Sequence, residues 1–257
     1  MRIITCNVNG LRAAAGKGFL EWMRKQKPDI VCVQEIKAQE ADLPRPILAP
    51  RGLHAFFHPA EKRGHSGVAI YSKREPDKVT LGLGMPEIDK QGRFLQADYG
   101  KLGVISLYMP SGTMGEEAQA RKYMFMDRFM PRLEAMRADG REFVICGDWN
   151  MAHKETDVKN WKTNQKTTGF LPREREWLTQ VFERHGFVDV FRALDPSPDR
   201  FTWWNQFGRA RERNIGWRID YQIATPGMAK LAKKTSICME PWFSDHAPLT
   251  VDYDYKL

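Results

Sequence analysis

Several short polar clusters along the chain hold residue types that carry out hydrolysis, and each stands where an apolar run gives way to a turn. Gly147-Asp148-Trp149-Asn150 follows the run Glu142 to Cys146. Asp148 there can act as a base or a metal ligand, Asn150 two residues on points to the same side of the strand, and Gly147 lets a substrate approach the backbone. A strand ending in Gly-Asp usually does no more than turn the chain or cap a helix. The weight shifts because the pattern recurs. Asn7 and Asn9 precede Gly10, Gln34-Glu35 closes a second apolar run, Tyr108 leads into Pro110-Ser111-Gly112, and Asp245-His246 stands before a final apolar stretch. Glu35 shares strand parity with Val31 and Val33, in line with core residues, so its carboxylate needs a counter-charge. A hard divalent cation such as Mg2+ suits an all-oxygen site better than zinc.

The elements that must position these residues are read from periodicity. Strands are expected over Arg2–Val8, Asp29–Gln34, Gly67–Ser72, Arg93–Tyr99, Leu102–Tyr108, Phe143–Cys146, Phe201–Trp204, Ile219–Thr225 and Leu249–Tyr253. Helical spacing is found over Phe19–Lys25, Glu116–Ala138 and Arg173–His185, the first stopped by Pro28. Strand groups alternating with helices, with no repeat, low-complexity tract or linker, predict an α/β fold in one domain over residues 1–257: two packed sheets, helices on their outer faces, functional loops at one end. The stretches Asp77–Gln91 and His153–Pro172 are read as long loops that contact substrate.

Net charge is +8 with a sequence pI near 9.3, and clustered cations gain free energy by releasing counterions from phosphates. Ordinary solubilising charge gives the same total, so arrangement says more. Lys62-Arg63 precedes Gly64, Lys159, Lys162 and Lys166 recur in one loop, and Arg209, Arg211 and Arg213 alternate in another, both of these loops near aromatics. The four cysteines form no Cys-x-x-Cys pair, which disfavours a metal cluster or a disulfide framework and predicts buried, reduced thiols. No apolar stretch approaches the ~20 residues that cross a bilayer, and the opening residues lack a secretory signal, so a cytoplasmic protein is expected. Without heptads or an exposed apolar helix, a monomer is expected.

Asn-Val-Asn-Gly10, Gln-Glu35, Gly-Asp-Trp-Asn150, Gly-Trp-Arg-Ile-Asp220-Tyr and Ser-Asp-His246 occur in the order found in the exonuclease III family of AP endonucleases, and the likeness spans essentially the whole chain. The chain therefore resembles that family, within the wider endonuclease/exonuclease/phosphatase superfamily. The resemblance implies a four-layered α/β sandwich of two mainly antiparallel sheets. It also implies a Mg2+-dependent DNA repair phosphodiesterase, Mn2+ serving as substitute, that cuts 5′ to abasic sites and cleans blocked 3′ ends of duplex DNA.

By the same likeness Glu35 is the principal metal ligand with Asn7 beside it, and Asp245 serves a second cation. Asp148 positions and deprotonates the attacking water. Asp220 orients His246, while Asn150, His246 and Tyr108 contact the scissile phosphate. Arg12, Lys37, Gly64, His65 and the stretch from Asn160 through Asn164 to Lys166 match places where relatives grip DNA. Trp203, Trp217 and Ile219 resemble the wall that receives a flipped-out abasic sugar, though core packing would also account for Trp203. Two positions depart from the pattern: Ser111 stands where some relatives have Asn or Gln, and His65 where Tyr is frequent. Gly169 leaves room beside the sugar pocket. Two other classes share parts of the pattern. A lipid phosphatase or sphingomyelinase would add a membrane-facing apolar loop, and a non-catalytic DNA-binding module would have no use for the acids and His246.

Overall fold

A computed structural model describes residues 1–257. Two six-stranded sheets stack face to face. The first runs in the order Ala232–Ile237, Leu249–Tyr253, Arg2–Asn7, Ile30–Gln34, Val68–Ser72, His54–His58; the second runs Lys78–Leu81, Phe94–Tyr99, Leu102–Tyr108, Glu142–Asp148, Asp220–Ala224, Val188–Asp189. Each sheet has one central parallel pair, Arg2–Asn7 with Ile30–Gln34 and Leu102–Tyr108 with Glu142–Asp148, and every other pair is antiparallel. A parallel pair needs a crossover, supplied by helices Leu11–Gly16 and Phe19–Gln26 on one side and Glu116–Ala138 on the other. Both crossovers return the chain in the same direction, so the C-terminal ends of the central strands gather at one pole.

Burial explains why these strands read as near-continuous apolar runs: both faces of each sheet are covered. Between the sheets lie Ile3, Ile30, Cys32, Val68 and Ile70 against Leu95, Ala97, Val104, Val144 and Cys146. On the outer face of the first sheet, Ile4, Val31 and Val33 meet Phe19, Trp22 and Met23. On that of the second, Ile105, Phe143 and Ile145 meet Phe125, Phe129, Leu133 and Trp177. A fully buried phenylalanine such as Phe129 contributes about 2–3 kcal/mol by leaving water. The result is the four-layered sandwich. Polar ties cross between the sheets just below the crowded pole, where Gln34 Nε2 donates to Ser106 Oγ (2.9 Å) and Ser106 Oγ donates to the Val33 carbonyl (3.0 Å).

Some expectations differ from the structure. His54–His58 and Ala232–Ile237 are strands at the sheet edges, where mixed polar residues hide the alternation. The supposed loop Asp77–Gln91 contains an edge strand, Lys78–Leu81, and a helical turn, Pro86–Asp89, whose Ile88 is buried in the core. The expected Phe201–Trp204 strand shrinks to Trp203–Trp204, paired with Gly216–Trp217 in a small ribbon. Cys6, Cys32 and Cys146 are buried free thiols, while Cys238 is half-buried.

Candidate active site

Strand alternation delivers four side chains to one place. Asn7 follows Ile3 and Thr5, Asp148 follows Val144 and Cys146, Asp220 precedes Gln222 and Ala224, and Tyr108 follows Val104 and Ser106. Each shares parity with residues of the inter-sheet layer, so all four project into its open end. Glu35 arrives by another route. Its parity mates Val31 and Val33 face the outer helices, yet the Glu35 backbone turns left-handed (φ 51°) just past the strand and returns the carboxylate to the inter-sheet side. Left-handed non-glycine residues are uncommon and cost about 1–2 kcal/mol each. Asn9 (45°), Lys37 (49°), Ser66 (42°) and Asn150 (51°) share this conformation on neighbouring loops. Such concentration of strain is a mark of functional loops.

Gly147 has a different role from the one its sequence context suggests. A side chain there would strike the Leu107 carbonyl at 1.9 Å, so the glycine permits close strand packing and not substrate approach.

Hydrogen bonds lock the constellation. Asn7 Nδ2 donates to Glu35 Oε1 (2.8 Å) and to Asp148 Oδ2 (2.9 Å), so the amide enters as a donor that orients two carboxylates. Asp148 Oδ1 also accepts from the Asn150 backbone (2.8 Å), and Asn150 Nδ2 is tied to the Met109 carbonyl (2.8 Å). His246 Nδ1 lies 2.8 Å from Asp220 Oδ2, and its Nε2 lies 3.8 Å from Asp148 Oδ2. One ligand atom from each of Glu35, Asp148 and His246 falls within 4.8 Å of the others. Asp245 stands outside this trio; its oxygens accept from Asn9 Nδ2 (2.9 Å), Ser244 Oγ (3.0 Å) and Trp203 Nε1 (3.1 Å).

The charges follow from this crowding. Burial pushes the Asp148 carboxyl up to about 7 against the pull of His246. Burial would lower His246, but Asp220, with help from Asp148 and Asp245, overrides it and lifts the imidazole to about 10. His246 is therefore an imidazolium at neutral pH, a fixed cation facing the opening. Glu35 is held below the usual carboxylate range: burial opposes this, and the Lys37 ammonium 2.7 Å away together with the Asn7 amide prevails. The Tyr108 phenol is pushed up by burial and by Glu35 and Asp148, so it remains a proton donor. The site thus pairs a buried carboxylate with two donors and an acidic cation cradle.

Of the residues expected to grip DNA, Arg12, Gly64, His65, Lys166, Arg209 and Arg213 are exposed. Lys37 bridges Glu35 and Asn9 and lies inside the site more than on its rim. Asn164 is turned onto its own loop, donating to the Asn160 carbonyl (3.0 Å). Trp203 and Trp217 are half-buried with centroids 6.5 Å apart, and with the buried Ile219 they form an apolar wall beside His246, 6.4 Å from Trp203. Arg211 does not fit the exposed-grip expectation. It is 8% exposed, its guanidinium lies between Trp204 and Trp242, and it donates to the Ser244 (3.1 Å) and Met239 (2.6 Å) carbonyls. Alternation in sequence placed it with its neighbours, but the turn there folds it inward. Replacing Arg209 and Arg213 with Ala is expected to lower the salt slope of DNA binding by roughly 1–2. Arg211→Ala should leave that slope unchanged and lower thermal stability, read from binding isotherms across salt and from melting curves.

The wall is braced from behind. Arg218, 1% exposed, donates to both oxygens of Asp157 (2.9 and 3.1 Å) and to Asp189 (2.6 Å), and Arg192 joins from the side (2.7 Å). Burial would raise the Asp157 carboxyl, but Arg218 and Arg192 hold it at about 2. An unfolded aspartate titrates near 4, so as pH falls from about 4 to about 2 the unfolded chain takes up a proton that the native state refuses. The stabilisation is present above pH 4 and is lost on acidification, roughly 2 kcal/mol. Unfolding titrations between pH 5 and 2 should show that much less acid sensitivity in Asp157→Asn than in the parent.

Sequence reasoning missed Lys122 and Glu174, both fully buried behind Asn150. A signal existed: Lys122 is the one charged residue on the stripe Ala118, Phe125, Met126, Phe129, Leu133, Met136.

A two-sheet sandwich whose pole gathers a histidine, three aspartates, a glutamate and amides defines a phosphoesterase of the endonuclease, exonuclease and phosphatase class. Comparison with known proteins agrees. Residues 4–246 match the Endonuclease/Exonuclease/phosphatase family, and the chain belongs to it. The chain is 39% identical over 257 residues to the DNA repair nuclease APEX1 of Danio rerio, covering 98% of this chain and 81% of that protein. It is 36% identical over 252 residues to an exodeoxyribonuclease of Bacillus subtilis, covering 97% and 98%. An AP endonuclease structure from Archaeoglobus fulgidus superposes with a TM-score of 0.91 at 30% identity, covering 99% of this chain and all of that one.

Proposed function

We propose that the chain is a Mg2+-dependent DNA repair phosphodiesterase that cleaves the backbone 5′ to abasic sites and removes blocking groups from 3′ ends. It would act as a monomeric, single-domain enzyme over residues 1–257, in the cytoplasm, on duplex DNA. The observation that carries this reading is the meeting of Glu35, Asp148 and His246 in a chain of this family. The relatives named for DNA repair and for AP endonuclease activity support the substrate. A lipid substrate fits less well, since it would call for an apolar, membrane-facing rim.

The carboxylate oxygens of Glu35 and Asp148 suit a hard cation, and His246, protonated beside Asp220, would stay outside its ligand set. Glu35 would hold the ion, with Asn7 orienting the carboxylate, and Mn2+ would substitute for Mg2+. When bound, the ion supplies Lewis acidity to the phosphate and to the departing 3′ oxygen. The remaining work falls to side chains. Asp148, aimed by Asn7 and the Asn150 amide, takes a proton from the attacking water. The His246 imidazolium, held by Asp220, and the Tyr108 and Asn150 donors offset charge growing on the non-bridging oxygens. Asp245 lies farther out and contributes through Asn9 and Trp203; a second cation there would have to displace those bonds.

The wall of Trp203, Trp217 and Ile219 would receive the extruded sugar, a step made cheap by the missing base. Gly169 (φ 91°) supports acceptance of an abasic nucleotide, because a side chain at that position would press on the Trp217 ring and the Asn150 carbonyl, each 3.2 Å from its first carbon. Two matched duplexes, one with an internal abasic analogue and one with a 3′-phosphate, test the reading in Mg2+ and in EDTA. Incision 5′ to the lesion and release of phosphate, both abolished by EDTA, are expected. No cleavage of either duplex, or cleavage that persists in EDTA, overturns it.

A further inference from the structure

We infer that Lys122 and Glu174 form a buried positioning pair that sets the spacing between the Asn150 and Gly169 backbones, and through it the acceptance of an extrahelical abasic nucleotide over a frayed 3′ end. The inference rests on the function proposed above. Both side chains are 0% exposed and 2.5 Å apart. Lys122 Nζ donates to the Asn150 carbonyl (2.8 Å). Glu174 Oε2 accepts from the Gly169 (2.7 Å) and Leu171 (2.9 Å) amides, and its Oε1 accepts from Gln119 Nε2 (3.1 Å). One ion pair thus grips the carbonyl of one left-handed residue and the amide of another, Asn150 (φ 51°) and Gly169 (φ 91°). A third loop rests on the same cluster, since a side chain at Gly112 would strike Gln119 Oε1 at 2.0 Å and Thr168 Oγ1 at 2.2 Å.

Stability alone is a poor reason for such a pair. Taking two charges out of water is costly, and an apolar pair of the same volume is often as stable or more so. The rest of the helix stripe is apolar. What the charges add is direction: an ammonium and a carboxylate bind a carbonyl and two amides at set distances, which methionine cannot do. Two backbone segments that flank the proposed sugar pocket, one of them strained at the left-handed Asn150, are thereby kept at one separation. Asn150 serves every substrate through the phosphate, whereas the Gly169 side of the pocket matters only when a whole nucleotide must enter. Loosening the pair therefore changes the ratio of the two activities.

The test is the double substitution Lys122→Met/Glu174→Met, which keeps volume and removes both charges, with Glu174→Gln as a milder second variant that keeps shape and an acceptor oxygen. Both duplexes are assayed in saturating Mg2+, with kcat expressed per folded molecule from melting curves. In the double variant kcat for abasic incision should fall about 30-fold or more, since an ångström of misplacement can cost ~100-fold. KM for DNA should stay within about three-fold and 3′-phosphate release should fall far less, so the activity ratio moves about ten-fold. Glu174→Gln should move the same ratio by about three-fold. Parallel loss on both substrates, or an unchanged ratio in either folded variant, overturns the inference. Failure of the parent enzyme on both duplexes would instead sink the functional reading, before any variant is made.

Discussion

Asp148→Asn is expected to bind abasic DNA within a few-fold of the parent and to cut it about a thousand-fold or more slowly, because a positioned general base contributes ~10²–10⁴. The carboxylate is 1% exposed and receives donors on both oxygens, from the Asn150 amide and from Asn7. An amide of the same shape fills the space but cannot take the water's proton. One of its own N–H groups would also face an existing donor, which adds to the loss. The DNA grip proposed for the exposed cations does not involve this buried atom, so affinity should survive. Single-turnover rates and Kd, measured on the same duplex, separate the two effects. A variant that cuts at the parental rate would remove Asp148 from the chemistry.

The second large effect is expected at Glu35. Glu35→Ala should raise the Mg2+ concentration for half-maximal rate by about a hundred-fold or more, since disturbing even the partners of a metal ligand costs 10–100-fold. The loss reaches beyond one ligand. Glu35 Oε1 is one of two acceptors for Asn7 Nδ2, and its Oε2 holds Lys37, which in turn donates to Asn9. Removing the carboxylate leaves the Lys37 ammonium beside the proposed metal position without a counter-charge, held only by Asn9, a further penalty on cation binding. A metal titration of the rate, for parent and variant, gives the answer. An unchanged midpoint would make Glu35 a structural residue that anchors Lys37.

How much of this was legible in the chain differs from element to element. The central strands were, because both faces are buried and their apolar runs are long. The edge strands His54–His58 and Ala232–Ile237 were not, because half-exposed strands carry mixed polar residues whose register only a neighbour reveals. Of the site, Asp148 could be placed by strand alternation, whereas Asn150 lies past the strand end in a left-handed conformation that alternation does not describe. Strand parity alone places the Glu35 side chain with Val31 and Val33 on the helix-facing side, and only the left-handed turn at Glu35 sends it inward.

The chain's own order of residues determined which faces of the strands are apolar, which acids and amides end them, and which family the motifs resemble. Those are local properties, set by side-chain chemistry and the two-residue period. Tertiary structure decided that Arg211 packs between tryptophans while Arg209 and Arg213 face solvent, that Asn7 serves as a donor to two carboxylates, and that Lys122 reaches Asn150 through the core. Each of these depends on a partner far away in sequence, brought within hydrogen-bonding reach only when the two sheets and their helices close, and no spacing along the chain encodes that distance.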